Sequence, residues 1–119
     1  MYPMKAIYIT LVALLGMTSC AGLNSTTYIK PNDSFVLGNN EHGAFQVNLK
    51  NTSKTNLSIH QAPINGGKHS TLNVKPNQRA SVKVDKNTAV IITNGSSDTA
   101  AVSLKVTGDL GLSMGYKNQ

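Results

Sequence analysis

The stretch that decides the fold is Phe45-Gln46-Val47-Asn48-Leu49-Lys50, in which apolar and polar residues alternate at every step. A period of two is typical of a β-strand with one buried face and one wet face. The same alternation recurs at residues 57–60, 72–75, 80–84 and 102–106. Val90-Ile91-Ile92 is apolar throughout, which indicates a strand that is covered on both faces or central in its sheet.

Turn-forming residues separate these runs at short, regular intervals. Examples are Lys30-Pro31-Asn32-Asp33, Asn65-Gly66-Gly67 and Asn94-Gly95-Ser96. Glycine and asparagine tolerate positive φ, and proline fixes φ for a turn. No stretch beyond the first twenty residues has apolar residues at helical spacing. The sequence therefore predicts an all-β fold, a small antiparallel β-sandwich of seven to nine short strands over residues 28–119.

Two parts of this chain resemble each other. Ile29-Lys30-Pro31-Asn32 recurs as Val74-Lys75-Pro76-Asn77, and Asn51-Thr52-Ser53 resembles Asn94-Gly95-Ser96, each ahead of a predicted strand. Two related β-meanders would build two facing sheets. Any sandwich, however, reuses Pro-Asn and Asn-x-Ser turns, because turn residues come from a small set. The sequence leaves both interpretations open.

Length and composition exclude several classes of protein. A chain of 119 residues allows one domain, which is too little for a doubly wound nucleotide-binding fold or a TIM barrel. One cysteine cannot form an internal disulfide or a cysteine-based zinc cluster. Eleven basic residues against five acidic ones give a formal net charge of +6. The basic excess favours anionic partners.

The N-terminus has the features of a secretion signal. Lys5 precedes an apolar run from Ala6 to Met17, which is shorter than the roughly 20 residues that a transmembrane helix needs. The run ends in Met17-Thr18-Ser19-Cys20, followed by Ala21-Gly22. This segment resembles the bacterial lipoprotein signal, in which an apolar residue and two small residues precede a cysteine. The alternative is a simple secretory signal with an incidental cysteine.

The resemblance implies that residues 1–19 are a removed signal peptide and that Cys20 carries a covalent lipid. Residues 20–27 would then be the lipidated cysteine and a short polar tether to the domain. Two or more acyl chains hold a protein stably on a membrane. The expected location is the bacterial cell envelope. The absence of Asp at position 21 favours the outer membrane, by analogy with this family.

Histidines are the candidate metal ligands. His42 lies in a predicted loop beside Glu41, and His60 and His69 lie at outward positions of neighbouring predicted strands. If those strands pair, the set could bind zinc or copper. The spacing matches no metal motif, and we expect no cofactor besides the lipid.

No catalytic set is evident in the sequence. Most of the five carboxylates sit in or beside predicted turns, where they usually bond the backbone. There is no Gly-x-Ser-x-Gly elbow, and the only cysteine is expected to carry lipid. We therefore expect a protein that is not an enzyme.

Basic side chains are the more numerous candidates for a binding surface. Lys50, Lys75, Lys83 and Lys105 fall at outward positions of different predicted strands. If these strands share a sheet, they form a positive face that attracts anionic envelope polymers or acidic proteins. The alternative is a solvated face whose lysines protect strand edges. Nucleic acid is not an expected partner, because there are too few aromatic residues for base stacking.

The C-terminal stretch from Gly108 to Tyr116 alternates weakly and is rich in glycine. It predicts either a last strand with a bulge or close backbone approach, or an unpaired segment that adds to a partner's sheet.

Three classes of function remain. The leading hypothesis is a non-catalytic binding or accessory lipoprotein of the envelope. The second is an inhibitor or immunity lipoprotein that plugs a hydrolase or toxin with a loop at residues 41–43 or 65–69. The third is a metal-binding sandwich that uses the three histidines.

Overall fold

The computed structural model describes residues 22–67 and 71–117. The predicted signal peptide, Cys20 and His69 lie outside the described residues. Within the described ranges the chain forms nine strands and no helix. The strands are β1 (Leu23–Ile29), β2 (Asp33–Leu37), β3 (Phe45–Asn51), β4 (Leu57–Pro63), β5 (Thr71–Val74), β6 (Arg79–Val84), β7 (Thr88–Asn94), β8 (Ala100–Gly108) and β9 (Met114–Tyr116).

The strands form two antiparallel sheets. One sheet has four strands in the order β1-β8-β3-β6, and the other has five in the order β5-β4-β7-β2-β9. The inward residues of both sheets form one apolar core, in which Val47, Ile59, Val90 and Val102 are almost fully buried. The predicted β-sandwich is confirmed.

The alternation of apolar and polar residues explains which face of each strand is buried. In β3, Phe45, Val47 and Leu49 are buried while the residues between them are half-buried or exposed. β8 repeats the pattern from Ala100 to Val106. β7 lies in the middle of the five-stranded sheet, as its apolar run indicated. Burying such side chains contributes about 1.5–3 kcal/mol each relative to exposure.

The domain begins earlier than predicted. Residues 20–27 were expected to be a tether, but β1 starts at Leu23 and pairs with β8 as far as Ile29. The prediction failed because Asn24-Ser25-Thr26-Thr27 carries no apolar alternation. These residues belong to an edge strand, whose backbone pairs with β8 although three of them are exposed. The boundary at residue 28 is therefore wrong.

The internal repeat is present in the topology, but its halves do not form two separate meanders as expected, because each sheet combines strands of both halves. If β1–β4 are matched in order with β5–β8, the sheet order β1-β8-β3-β6 becomes β5-β4-β7-β2, which is the order found in the second sheet. The matched turns also share their geometry, since Asn32 and Asn77 both have positive φ, at 58° and 65°. In each turn a backbone N–H donates to the carbonyl of the matched lysine, Lys30 or Lys75. β9 has no counterpart in this scheme.

Two fully buried asparagines clamp the two sheets together at matched positions. Asn94, at the end of β7, donates through Nδ2 to Ile29 O of the other sheet at 2.9 Å and to Asp98 O at 2.7 Å. Asn51, at the end of β3, donates to Val74 O at 3.0 Å and to Thr55 O at 2.7 Å. Ile29 and Val74 are themselves matched positions of the repeat.

A serine completes each clamp. Ser96 donates from its backbone N–H and its hydroxyl to Asn94 Oδ1, at 3.0 and 2.7 Å. Ser53 makes the same two bonds to Asn51 Oδ1. The Asn-x-Ser pattern seen in the sequence is thus a turn that satisfies buried backbone groups, which are costly to leave unpaired.

The C-terminal segment follows the first of its two predicted forms. Gly108 has φ +98°, and a Cβ there would come within 2.9 Å of Ala44 O and Phe45 Cα, so the backbone approaches closely as expected. Residues 109–113 are a loop, and β9 then pairs with β2. Tyr116 packs edge-to-face against Phe35, with ring centroids 5.6 Å apart. β9 therefore protects the edge of its own sheet.

Candidate functional site

The outer face of the four-stranded sheet gathers the chain's outward polar residues into rows across the strands. We call it the basic face. Strand register aligns Thr26, Ser103, Lys50 and Arg79 in one row, and Asn24, Lys105, Asn48 and Ser81 in the next. Flanking rows hold Tyr28 with Ala101 on one side, and Thr107, Gln46 and Lys83 on the other. All these side chains point outward because the residues between them along each strand point inward.

The basic face carries four cations at outward positions of its strands. Lys50 and Arg79 are directly opposite on neighbouring strands, with Lys105 in the adjoining row and Lys83 beyond it. None of its outward positions is Asp or Glu. Like charges directly opposite in a sheet are destabilising. The described residues therefore leave a positive field on this face that a bound anion would neutralise.

Amide and hydroxyl groups lie between the cations in a hydrogen-bonded cluster. Gln46 Nε2 donates to Ser81 Oγ at 2.9 Å and to Asn48 Oδ1 at 3.2 Å. Ser81 Oγ donates to the same Asn48 oxygen at 2.7 Å. The two bonds to Oδ1 fix the side-chain amide of Asn48, which is an exposed residue.

The two central rows line an open depression of about 880 Å³. Its rim includes Asn24 and Thr26 on one side and Arg79 and Ser81 on the other. Tyr28 stands at one end of the face with 62% of its surface exposed. Ala101, its small partner across the strands, leaves the ring uncovered. The face thus offers cations, fixed polar groups and one aromatic ring.

The structure places three of the four predicted lysines on the outer face of the same sheet. Lys50, Lys83 and Lys105 lie on one sheet, but Lys75 follows β5 in the turn that leads to β6. That turn closes through a bond from Gln78 N to Lys75 O, and it belongs to no strand of the basic face. Arg79 was missed as a face residue because it directly follows a turn. Its register opposite Lys50 depends on pairing that a single sequence does not show.

The outer face of the five-stranded sheet differs sharply. Thr93 and Ser34, which match Lys50 and Arg79 in the repeat, share a row with Ser58 and Asn73. The Ser34 and Thr93 hydroxyls bond to each other at 2.9 Å. Within the described strands of this sheet, no outward position is Lys, Arg, Asp or Glu. Among outward positions of the described strands, the charges are therefore confined to the four-stranded sheet.

His42 is a structural residue in the described chain. It is 9% exposed and packs edge-to-face on Phe45 at 5.1 Å. Its Nδ1 lies 2.6 Å from Gly43 O, and its Nε2 lies 3.0 Å from both Gly38 O and Thr88 O. Carbonyl oxygens only accept, so a protonated ring donates to all of them whereas a neutral ring donates from one nitrogen. The expectation of a protruding plug at residues 41–43 is wrong for His42.

The histidines do not converge on a metal site within the described residues. His42 lies in the loop between β2 and β3, while His60 lies at an outward position of β4, opposite Thr71 and Ile91. His69 is outside the described ranges, and Glu41 is exposed. Residues 22–67 and 71–117 contain no group of three His, Cys, Asp or Glu able to hold a metal ion.

Asp109 fastens the C-terminal segment to the loop between β2 and β3. Gly111 N and Gly43 N donate to its two carboxylate oxygens, at 2.8 and 2.6 Å. These bonds, the Gly111 bond first, lower the pKa of Asp109 below its ordinary value of 3.8, and the nearby His42 lowers the pKa further. Backbone bonding is the role that the sequence indicated for such carboxylates.

Comparisons with known proteins match the fold. No protein-family model and no curated protein matches the sequence. The capsular polysaccharide assembling protein CapF from Staphylococcus aureus is 18% identical over 71% of this chain, with a TM-score of 0.54. A crystal structure of CapF with the inhibitor 3-isopropenyl-tropolone gives a TM-score of 0.55. This chain spans 24% of the CapF chain, so the similarity concerns the sandwich alone.

A weaker similarity is found to the Yersinia pseudotuberculosis-derived mitogen, at 17% identity and a TM-score of 0.47, over 73% of this chain and 85% of the mitogen. Among residues 22–67 and 71–117, no helix has the length and apolarity to span a membrane.

Proposed function

We propose that this protein is a non-catalytic binding module of the bacterial envelope that holds an anionic partner on its basic face. The observation that carries the proposal is the opposed pair Lys50 and Arg79, with Lys105 beside it and no carboxylate on the same face. An anion there would relieve the repulsion between the two cations. Arginine binds carboxylate and phosphate through two parallel hydrogen bonds, which adds specificity to charge.

The shape of the site also favours binding over catalysis. The depression is broad and open, and it is floored by a regular sheet rather than by a deep cleft. Acid–base chemistry needs carboxylates that are available to a substrate. Two of the described carboxylates instead accept bonds from backbone N–H groups: Asp33 from Ser34, and Asp109 from Gly43 and Gly111. An extended partner that lies along the sheet fits such a surface better than a small reacting substrate does.

The lipid anchor is the second part of the proposal. Acylation of Cys20 would hold the sandwich at a membrane surface through a short stretch before β1. The test is membrane fractionation of cells that produce the Cys20→Ser variant. We expect the variant to move from the membrane fraction to the soluble fraction. Continued fractionation with membranes would refute the lipoprotein interpretation.

Binding of an anionic polymer tests the basic face directly. The full-length protein is titrated with polygalacturonate at low and high salt. We expect Lys105→Gln to weaken binding about three- to tenfold, because charge-assisted hydrogen bonds contribute more than neutral ones. Binding should also weaken as salt rises, since exposed charges are screened over about 10 Å at 0.1 M.

The matched control removes one lysine charge from a position outside the basic face. Lys117 is exposed, follows β9, and uses its backbone N–H to bond Ser34 O. Lys117→Gln should leave the affinity unchanged. Salt-independent binding, or equal losses from Lys105→Gln and Lys117→Gln, would count against the basic face.

A further inference from the structure

We infer that the anionic partner is an acidic polysaccharide, which the basic face recognises by its hydroxyl groups as well as its charge. This inference rests on the proposed function and names the class of ligand. The inference follows from the polar, uncharged side chains that lie between the cations. Amides and hydroxyls occupy the remaining outward positions of the two central rows, namely Asn24, Thr26, Asn48, Ser81 and Ser103.

The amide and hydroxyl groups of the face can bond to uncharged donors and acceptors of a ligand. Lys105 lies between Asn24 and Asn48 in one row. Each amide offers both a donor and an acceptor, and each hydroxyl offers both as well. A sugar ring presents the same complementary set at its hydroxyls. Asn48 is held in place by Gln46 and Ser81, so part of the row is fixed before a ligand arrives.

The rows also set a direction for the ligand. Each central row crosses four strands, about 14 Å from the first to the last at the usual strand spacing. A polymer along the second row would meet Lys105 between the amides of Asn24 and Asn48. One along the first row would reach the adjacent cations Lys50 and Arg79 after two hydroxyls. Tyr28 adds an exposed ring at the edge of the face, where the apolar side of a sugar can stack.

Other partners fit this surface less well. A protein interface usually has a buried centre of aromatic or aliphatic anchors. The central rows have no large apolar side chain at an outward position, and Tyr28 stands beyond them. Single-stranded nucleic acid is held by several stacking aromatics, and the basic face has one. An anionic membrane surface would neutralise the cations but would leave the amides and hydroxyls of the central rows without matching partners.

The experiment compares polymers with the same charge and different backbones. Polygalacturonate carries carboxylates on hydroxyl-bearing sugars, and polyglutamate carries carboxylates on a peptide. The full-length protein is titrated with each at equal carboxylate concentration. We expect about tenfold tighter binding to polygalacturonate, the gain from one or two additional hydrogen bonds. A phosphomannan titration shows whether the preferred anion is phosphate or carboxylate, and neutral dextran should bind far more weakly.

Two substitutions separate sugar recognition from charge. Tyr28→Ala and Asn24→Ala keep every cation of the face and alter exposed positions of the edge strand β1. We expect about three- to fivefold weaker binding of polygalacturonate for each and unchanged binding of polyglutamate. Thermal unfolding of both variants checks that the sandwich is intact.

The outcomes distinguish the two proposals. Equal affinity for polygalacturonate and polyglutamate, with no effect of Tyr28→Ala or Asn24→Ala, would overturn the polysaccharide inference and leave the anionic face standing. Failure of every anionic polymer to bind would overturn both.

Discussion

Two matched residue pairs show how one backbone arrangement carries two different surfaces. On the five-stranded sheet, Ser34 and Thr93 face each other and share a hydrogen bond of 2.9 Å. At the matching positions of the four-stranded sheet, Lys50 and Arg79 face each other with like charges. The repeat supplies the same strands and the same register at this pair. The fold therefore does not require the cations, and the proposed anion site would account for their presence on one face.

The largest expected effect tests the repeat itself. Asn94→Leu would leave three carbonyl oxygens and two Ser96 donors without their buried partner. Unpaired buried polar groups cost about 1–3 kcal/mol each, partly relieved by water or local movement. We expect the free energy of unfolding to fall by about 3 kcal/mol in urea denaturation.

Asn51→Leu should cost nearly as much, because it removes the matched clamp. Asn73→Ala, at an exposed position of β5, is the control and should change stability by less than about 0.5 kcal/mol. A large loss at one clamp and none at the other would show that the two halves are not energetically equivalent.

The two halves of the repeat differ in the connection that follows their second strand. The first half has a long loop between β2 and β3, and the matching connection between β6 and β7 is a short turn. His42 fills the longer loop. His42→Phe keeps a ring against Phe45 but removes the bonds to three carbonyl oxygens. We expect a loss of about 2 kcal/mol in urea unfolding.

Glu41→Gln is the neighbouring control, because Glu41 is exposed in the same loop. It should leave stability within about 0.5 kcal/mol of the native protein. Equal stability of His42→Phe and the native protein would show that the loop does not depend on the imidazole.

Replacing the charged pair by its neutral counterpart gives a smaller change in stability, of opposite sign. The double variant Lys50→Thr with Arg79→Ser copies the neutral pair of the other sheet onto the basic face. We expect the free energy of unfolding to rise by about 0.5 kcal/mol at low salt, because opposed like charges are removed. The gain should shrink as salt rises. Binding of polygalacturonate should be lost in the same variant.

This pairing of gained stability with lost binding is the signature of a ligand site. A double variant that is less stable and still binds would show that the cations support the sheet and are not used for recognition. Urea unfolding at two salt concentrations and the polymer titration are therefore measured on the same preparation.

The local sequence pattern predicts much of this fold. Most of the candidate site depends instead on which strands pair. The alternation in β3, β4, β6 and β8 specified both the strands and their buried faces. The repeated Asn-x-Ser turns were visible in the sequence, but the bonds by which Asn51 and Asn94 join the two sheets were not. β1 was missed because an edge strand can be held by backbone bonds with little apolar signal.

The candidate site was harder because it is assembled from four strands that are distant in sequence. The lysines at 50, 83 and 105 were placed on outward faces by parity alone, which is a local property. Their alignment into rows with Arg79 depends on strand register, a non-local property. His42 was expected to be available at the surface, since the sequence does not show which carbonyl oxygens surround a loop residue.

The smallest effect concerns the segment that follows β8, which holds β9 and lies outside the repeat. The folded-state pKa of Asp109 is lowered by the backbone N–H groups of Gly111 and Gly43 and by His42. A lowered pKa means that the stabilisation is fully present above the unfolded value, near 4, and is lost as the pH falls through the folded value. Asp109→Asn should be less stable than the native protein at pH 7, and the difference should shrink steadily below pH 4. Because the carboxylate tethers the C-terminal segment and not the matched strands, the loss should appear first as faster amide exchange in β9. An unchanged difference between pH 7 and pH 3 would show that the Asp109 carboxylate charge does not hold this segment in place.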